Sequence, residues 1–278
     1  MNIFNVILIQ PLTNGLIVFY KLLGGNLGLA IIGFSILLRV ILNPLSKPYM
    51  ESMKKMREFA PQLEKLKKRH KGDRQKLLKA QAEFYKEKGI NPGTGCLPQI
   101  LQLIILIAFL NVFMSVLSAN GEVMVKLNNL LYEPLKFTQE EKINTKFLYL
   151  DMAKPDVVKV SFLPFPLPGA VLILAAIVQL ISAKMMSPYI ETQKAIAKKT
   201  KEELDDFQVA FQRSATYTFP LLTIVFGMSF PSGLALYWLV YSLIQVFSQY
   251  KVSGWGGLSP WLERVGLLKL SGKYEKVK

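Results

Sequence analysis

Three stretches of this chain carry no charged side chain: residues 89–121, 160–183 and 214–250. A soluble core helix rarely sustains more than about 14 uninterrupted apolar positions, whereas a bilayer crossing needs about 20. These stretches therefore read as membrane segments. The last is too long for one crossing, since at about 1.5 Å per residue it would exceed about 50 Å. The turn signal Pro231-Ser232-Gly233 divides it into two helices, 214–230 and 233–249. Each would be about 26 Å long, at the short end for a hydrocarbon core of about 30 Å. Asn91-Pro92 opens a span over 92–117, and another covers 166–187. A fifth apolar stretch, 24–46, is broken by a single charge, Arg39, and ends at Asn43-Pro44-Leu45. The expected fold is an all-α polytopic membrane protein with five transmembrane helices.

The charged residues lie between these spans and orient them. Residues 47–89 hold 14 Lys/Arg against 6 Asp/Glu. Helical spacing runs through Met50, Met53, Phe59, Leu63 and Leu66, then through Leu77, Leu78, Ala82, Phe84 and Tyr85. The break at Lys71-Gly72-Asp73 makes this a basic helical hairpin. Residues 118–165 balance 6 Lys against 6 acidic residues, and the tail 250–278 has 6 Lys/Arg against 2. Five spans put the hairpin, the 188–212 segment and the tail on one side and the neutral loop on the other. Positive charge collects on the cytoplasmic side, so the N-terminus is expected outside and the C-terminus inside. Segment 188–212 carries Thr200 and Glu203 at capping-box spacing. Residues 1–23 are apolar but interrupted by Asn5, Gln10, Thr13 and Asn14. They read as an amphipathic helix lying along the outer membrane surface, with a cleaved or spanning segment as the alternative.

A net charge of +15 would suggest nucleic acid in a soluble protein. Here it belongs to the cytoplasmic loops, where it meets anionic lipid headgroups, and no specific DNA partner is expected. The chain has one cysteine, Cys96, and one histidine, His70, which lies in a lysine-rich stretch. That excludes an intramolecular disulfide, a cysteine-clustered metal site and a Ser-His-Asp arrangement within the membrane. With no Gly-rich phosphate loop, the reading is not an enzyme, with no cofactor and no metal.

Arg39 is the most informative residue. It lies about eight residues, or about 12 Å, from the cytoplasmic end of its span. A charge at such depth costs about 2.5–3.5 kcal/mol on insertion scales. The bland alternative is that Arg39 snorkels to the cytoplasmic headgroups. No span contains an Asp or Glu, so water or dipoles must solvate it. Candidates include Gln99, Gln102, Asn111, Ser115, Gln179, Ser182, Thr216, Thr218, Tyr237, Tyr241 and Gln245, although any one can be mere interhelical glue. Together with the arginine they suggest a wet, positive groove open to the cytoplasm. Such a groove could attract the acidic or polar flank of an incoming chain and shorten its path across a thinned bilayer. The hydrophobic segment would then leave sideways into lipid. The hairpin could meet nascent chains, the ribosome or targeting factors, or could be a solvated element whose methionines only pack its seam.

Four sets of residues, in order, resemble the YidC-type membrane insertases, which share a fold with the mitochondrial oxidase-assembly and chloroplast thylakoid insertases. The first is Gln10-Pro11-Leu12, Gly28-Leu29-Ala30-Ile31-Ile32, Arg39 and Asn43-Pro44-Leu45. Met53-Lys54-Lys55-Met56 follows, with Pro61 and Leu63. Next come Asn91-Pro92, Gly95-Cys96, Pro98 and Gln102. Last is Phe230-Pro231-Ser232-Gly233-Leu234-Ala235-Leu236-Tyr237-Trp238. The match covers roughly residues 7–250. The resemblance implies a five-helix core around a hydrophilic groove closed on the outside, in a bacterial plasma membrane. It implies that Arg39 is the groove arginine, lined by Gln179, Trp238 and Tyr237, with Gln102 as a further candidate. It also implies nascent membrane proteins as substrates, handled alone or beside the Sec translocon. The chain looks like a short form, without a large extracytoplasmic domain. With no cysteine before Cys96, a lipoprotein anchor is not expected. Two other readings use the same residues: an assembly chaperone that packs inserted helices, and a small-solute transporter. The transporter reading lacks an internal repeat and an acidic relay residue.

Overall fold

The computed structural model of the chain describes residues 3–70, 72–90, 97–117, 125, 127–138, 141–186 and 203–267. Thr200 of the capping-box pair, Cys96 and Asn91-Pro92 lie outside these residues, as does the side chain of Gln102. The described chain is mostly helical. After a short π-helical turn, Asn5–Ile9, come α1 (Gln10–Leu22), α2 (Leu27–Glu58), α3 (Ala60–Arg69), α4 (Arg74–Glu87) and α5 (Leu97–Leu117). Then follow α6 (Ala170–Met186), α7 (Glu203–Gly227), α8 (Ser232–Ser253) and the short α9 (Ser259–Arg264). Between α5 and α6 lie two small antiparallel ribbons. Strand β1 (Lys146–Phe147) pairs with β2 (Leu150–Asp151), and β3 (Val157–Val158) pairs with β4 (Leu167–Pro168).

Two helices run across the expected borders between apolar span and charged segment. Helix α2 continues unbroken through Pro44 and Pro48 into the basic stretch. Each proline removes one N–H donor from the helix ladder, and both stand on exposed positions of α2 rather than in the core. Helix α7 starts among the acids of 203–206 and continues through Pro220 to Gly227. The chain breaks next at Met228–Pro231, so the long uncharged stretch is two helices, with Ser232 opening the second.

Contacts divide the chain into two units. The first comprises Met1–Leu45, Cys96–Gln179 and Phe219–Ile244. Its core is apolar and aromatic, drawn from α1, α2, α5, α6, α8 and the 127–152 segment. Rings connect these elements. Phe19 of α1 meets Phe34 of α2 at 5.8 Å, and Phe34 meets Phe109 of α5 at 6.1 Å. Phe109 stacks on Tyr237 of α8 at 4.4 Å.

The segment between α5 and α6 is built onto helix ends in this unit. Asn14 of α1 is buried and donates to the Leu130 carbonyl at 2.8 Å, while its oxygen accepts from Tyr132 N–H at 2.7 Å. The Tyr20 hydroxyl accepts from Asn144 N–H at 2.8 Å. At the start of α8, Ser232 N–H donates to the Lys154 carbonyl at 2.7 Å and its hydroxyl to the Asp151 carbonyl at 2.8 Å. Buried Asp156 accepts from Leu172 N–H at 2.9 Å, in the first turn of α6. A carboxylate suits that place because the leading N–H groups of a helix lack partners and the macrodipole is positive there. Gly169 is required beside it, since a side chain at 169 would run into the Asp156 carboxylate. On α1, Thr13 and Asn14 thus face protein, while Leu22 and, just before the helix, Ile3 and Ile7 stand outward.

The second unit comprises Ser46–Gly95, Leu180–Thr218 and Gln245–Lys278. Here α3 and α4 pack together, with Phe59 and Phe84 edge to face at 6.2 Å. Between them Gly72 takes φ +95°, a left-handed conformation that glycine adopts without steric cost. Asp73 then caps α4 by accepting from Lys76 N–H at 3.0 Å. That backbone bond, with the Lys76 ammonium beside it, holds the Asp73 carboxyl below the usual carboxylate range. A small apolar cluster of Met185, Leu258 and Leu262 seats α9.

Candidate functional site

Arg39 sits on α2, one turn after the buried Ser35 and Phe34. It is 2% exposed, so the side chain does not reach out to solvent in the way snorkelling requires. Its guanidinium lies over the ring of Tyr241, 5.0 Å from carbon to ring centroid. One guanidinium nitrogen donates to the Tyr241 hydroxyl at 3.4 Å. Tyr241 thus supplies both a π-face and an oxygen. A desolvated cation over an aromatic face gains about 2 kcal/mol, comparable to the insertion cost of the charge.

The position of Tyr241 is itself determined. Tyr237, one turn earlier on α8, lies 6.1 Å from it, ring to ring. Tyr237 is buried and stacked on Phe109, so the ring series runs from α1 through α2 and α5 to the arginine. Trp238 is also buried and belongs to the same core. The structure therefore brings Arg39, Tyr237 and Tyr241 together on α2 and α8.

Gln179 has a different neighbour. Its amide oxygen accepts from the Thr223 hydroxyl at 2.7 Å, which ties α6 to α7. Thr223 is buried and stands outside the polar candidates read from the sequence. Its hydroxyl also reaches the Phe219 carbonyl one turn back, at 3.1 Å. Any threonine in a helix can make that second bond, so no sequence signal separates Thr223 from a self-satisfied helical threonine. Tyr241 is among the sequence candidates, but nothing in the sequence sets it above the other polar residues of the spans. Among the described residues no group of His, Cys, Asp and Glu could hold a metal ion.

The outer surfaces of these helices are apolar. Ile36, Leu37, Val40 and Ile41 on α2 are exposed, as are Leu103 and Ile107 on α5 and Ile173, Leu174 and Ile177 on α6. Leu221, Val225 and Phe226 on α7 and Leu243 and Phe247 on α8 continue the pattern. Apolar patches of this extent mark a lipid or protein interface rather than a water-facing surface. By length and composition, Leu27–Met56 is long and apolar enough to cross a membrane; Leu103–Phe113, Ala170–Met186 and Thr216–Gly227 are shorter apolar helices.

Apolar outside, with an arginine buried within, the chain has the construction of a helical membrane protein. Comparison with known proteins assigns it more closely. The family model described as "60Kd inner membrane protein" matches residues 18–255. A protein of Fusobacterium nucleatum named membrane protein insertase YidC is 32% identical over 227 residues, 81% of this chain and 85% of the relative. Proteins of the same name from Shewanella sp. (strain MR-7) and Chlorobium luteolum are 32% and 30% identical over 84% and 82% of this chain. In those two the chain spans only 35% and 33% of the relative's length. The chain belongs to the 60Kd inner membrane protein family, which is the YidC/Oxa1 family.

Proposed function

We propose that this protein inserts hydrophobic segments of newly made membrane proteins into a bacterial plasma membrane, by a non-enzymatic route through a polar groove centred on Arg39. The observation that carries the reading is a fully buried arginine among apolar helices, held by a tyrosine face and hydroxyl. A cation held at that depth would attract an anionic or polar flank of a visiting chain, which is the use we assign to it. Tyr237, Trp238 and Tyr241 on α8, with Gln179 on α6 and Gln102 on α5, are proposed to line the path. The names of the relatives support the same function.

In this reading five segments cross the membrane: 24–46, 92–117, 166–187, 214–230 and 233–249. Their outward rows of Leu, Ile, Val and Phe support it. Helix α1 lies along the outer surface, and the 118–165 loop is extracytoplasmic. The basic hairpin of α3 and α4 and the tail lie in the cytoplasm, where they would meet nascent chains, the ribosome, targeting factors and anionic lipids. Substrates enter alone or from the Sec translocon. Burial of apolar surface in lipid drives release, assisted by about 2.3 kcal/mol per charge per 100 mV of membrane potential.

The test is autonomous insertion. The purified chain is reconstituted into liposomes, and a single-span protein with an acidic N-terminal tail is added. Protease protection of the tail well above that in empty liposomes is expected. Protection equal to empty liposomes would point instead to an assembly chaperone acting after insertion.

A further inference from the structure

Helix α9 is amphipathic in an unusual sense, because both of its faces carry apolar residues. Leu258, just before it, and Leu262 point inward against Met185, Ile181 and Val246. On the other face Trp261 and Val265, with Leu267 just beyond, are 54%, 56% and 70% exposed. An aqueous loop gains nothing by displaying large apolar side chains so close together. Cations accompany them. The Lys184 ammonium, at the end of α6, stands 5.8 Å from the Trp261 ring and 5.6 Å from that of Tyr217. Lys251 lies over Phe247 at 4.4 Å, near the end of α8, and Arg264 closes α9. No acidic partner of Lys184 or Lys251 appears among the ion pairs of the described residues.

We propose that this face of α9, Trp261, Val265 and Leu267 with Lys184, Lys251 and Arg264, docks on an anionic lipid surface and anchors the C-terminal end of α8 at the membrane interface. The inference deepens the lipid contact proposed above and rests on the cytoplasmic placement of this end. Two features choose lipid over nucleic acid. Indole and aliphatic side chains need a hydrocarbon boundary to bury them, and a phosphate backbone offers none. Near the end of α8, Phe247 and Tyr250 are exposed as well and add apolar and aromatic surface beside the lysine at 251. Tryptophan and tyrosine beside lysine are the residues that settle at the headgroup level. Each basic residue near an anionic leaflet contributes about fivefold to the docked population.

The test uses the full chain with Cys96→Ser and Leu267→Cys, carrying an environment-sensitive fluorophore at 267. It is placed in nanodiscs of pure phosphatidylcholine or of phosphatidylcholine with phosphatidylglycerol. Shallow lipid spin labels should quench the fluorophore, and aqueous iodide should not, with greater shielding in the anionic discs. Lys184→Gln, Lys251→Gln and Arg264→Gln together should lower the docked-to-undocked ratio by about a hundredfold and remove the dependence on lipid charge. Equal iodide access in both discs would overturn the proposal. So would shielding that appears only when ribosomes are added, which would make the face an RNA-binding one. Insertion activity in the same membranes separates the two levels: activity with an iodide-accessible label sinks the docking alone, leaving the insertase reading intact.

Discussion

At the scale of single residues the site turns on Arg39 and Tyr241. Sequence alone marks the arginine as out of place, because a lone charge in an apolar helix stands out without any structural help. It does not mark the partner. The polar residues of the spans are equal candidates in sequence, and choosing Tyr241 needs the crossing of α2 and α8 and the stack of Phe109 on Tyr237 that fixes the ring. Tyr241→Phe removes the oxygen and keeps the π-face. It should cost about 1 kcal/mol, seen as an about fivefold loss of insertion of acidic-tailed substrates. Tyr241→Ala removes both and should cost more. Equal activity of the two variants would show that the ring is irrelevant to the arginine. Thr223 escapes the sequence for a similar reason: a threonine in an apolar helix ordinarily bonds its own backbone, and only the structure shows Gln179 facing it.

At the scale of elements, the break at Gly72-Asp73 and the split at Pro231-Ser232-Gly233 are legible, because glycine, proline and capping residues act locally. The unbroken course of α2 through Pro44 and Pro48 is not, since a proline inside a helical pattern ordinarily reads as a stop. The docking of residues 127–138 and 141–156 is equally hidden, because their bonds join residues far apart in the chain, such as Ser232 with Asp151 and Tyr132 with Asn14. Two predictions belong here. Asp156→Asn weakens a charge-assisted bond to the start of α6 and should speed hydrogen exchange at Leu172; Gly169→Ala should do so more strongly, because its methyl meets the carboxylate. Unchanged exchange in both would remove Asp156 as the clamp. Asp151 gives a pH dependence. Burial pushes its carboxyl up, but bonds from the Thr145 hydroxyl and Ala153 N–H, with Lys154 nearby, outweigh this and leave it below the ordinary 3.8. A depressed folded value means the stabilisation is present above pH 3.8 and is lost as pH falls through the folded value. Protection of the β1–β2 ribbon should therefore fall below that pH in the wild type. Asp151→Asn should be less protected at neutral pH and insensitive to the same titration.

At the scale of the whole molecule, the class is legible from the uncharged stretches and the asymmetry of charge between loops, both of which follow from the cost of charge in hydrocarbon. The orientation proposed on that basis has a direct check. With Cys96→Ser, a cysteine at the exposed Leu148 should react with an impermeant maleimide added outside intact cells, and one at the exposed Leu78 only after lysis. The reverse labelling would invert the topology and move Arg39's opening to the wrong face.

The central claim, that the buried arginine draws in the flank of an incoming chain, is tested most directly by pairing substrates with the reconstituted protein. Two single-span proteins differ only in an acidic or a neutral translocated tail, and each is presented to wild type, Arg39→Lys and Arg39→Ala. Arg39→Ala should lose about tenfold or more for the acidic tail, equivalent to about 1.4 kcal/mol, and much less for the neutral tail, while Arg39→Lys should largely keep the wild-type activity. Equal losses for both tails, or none for either, would contradict a charge-attracting groove and leave Arg39 as a brace against Tyr241.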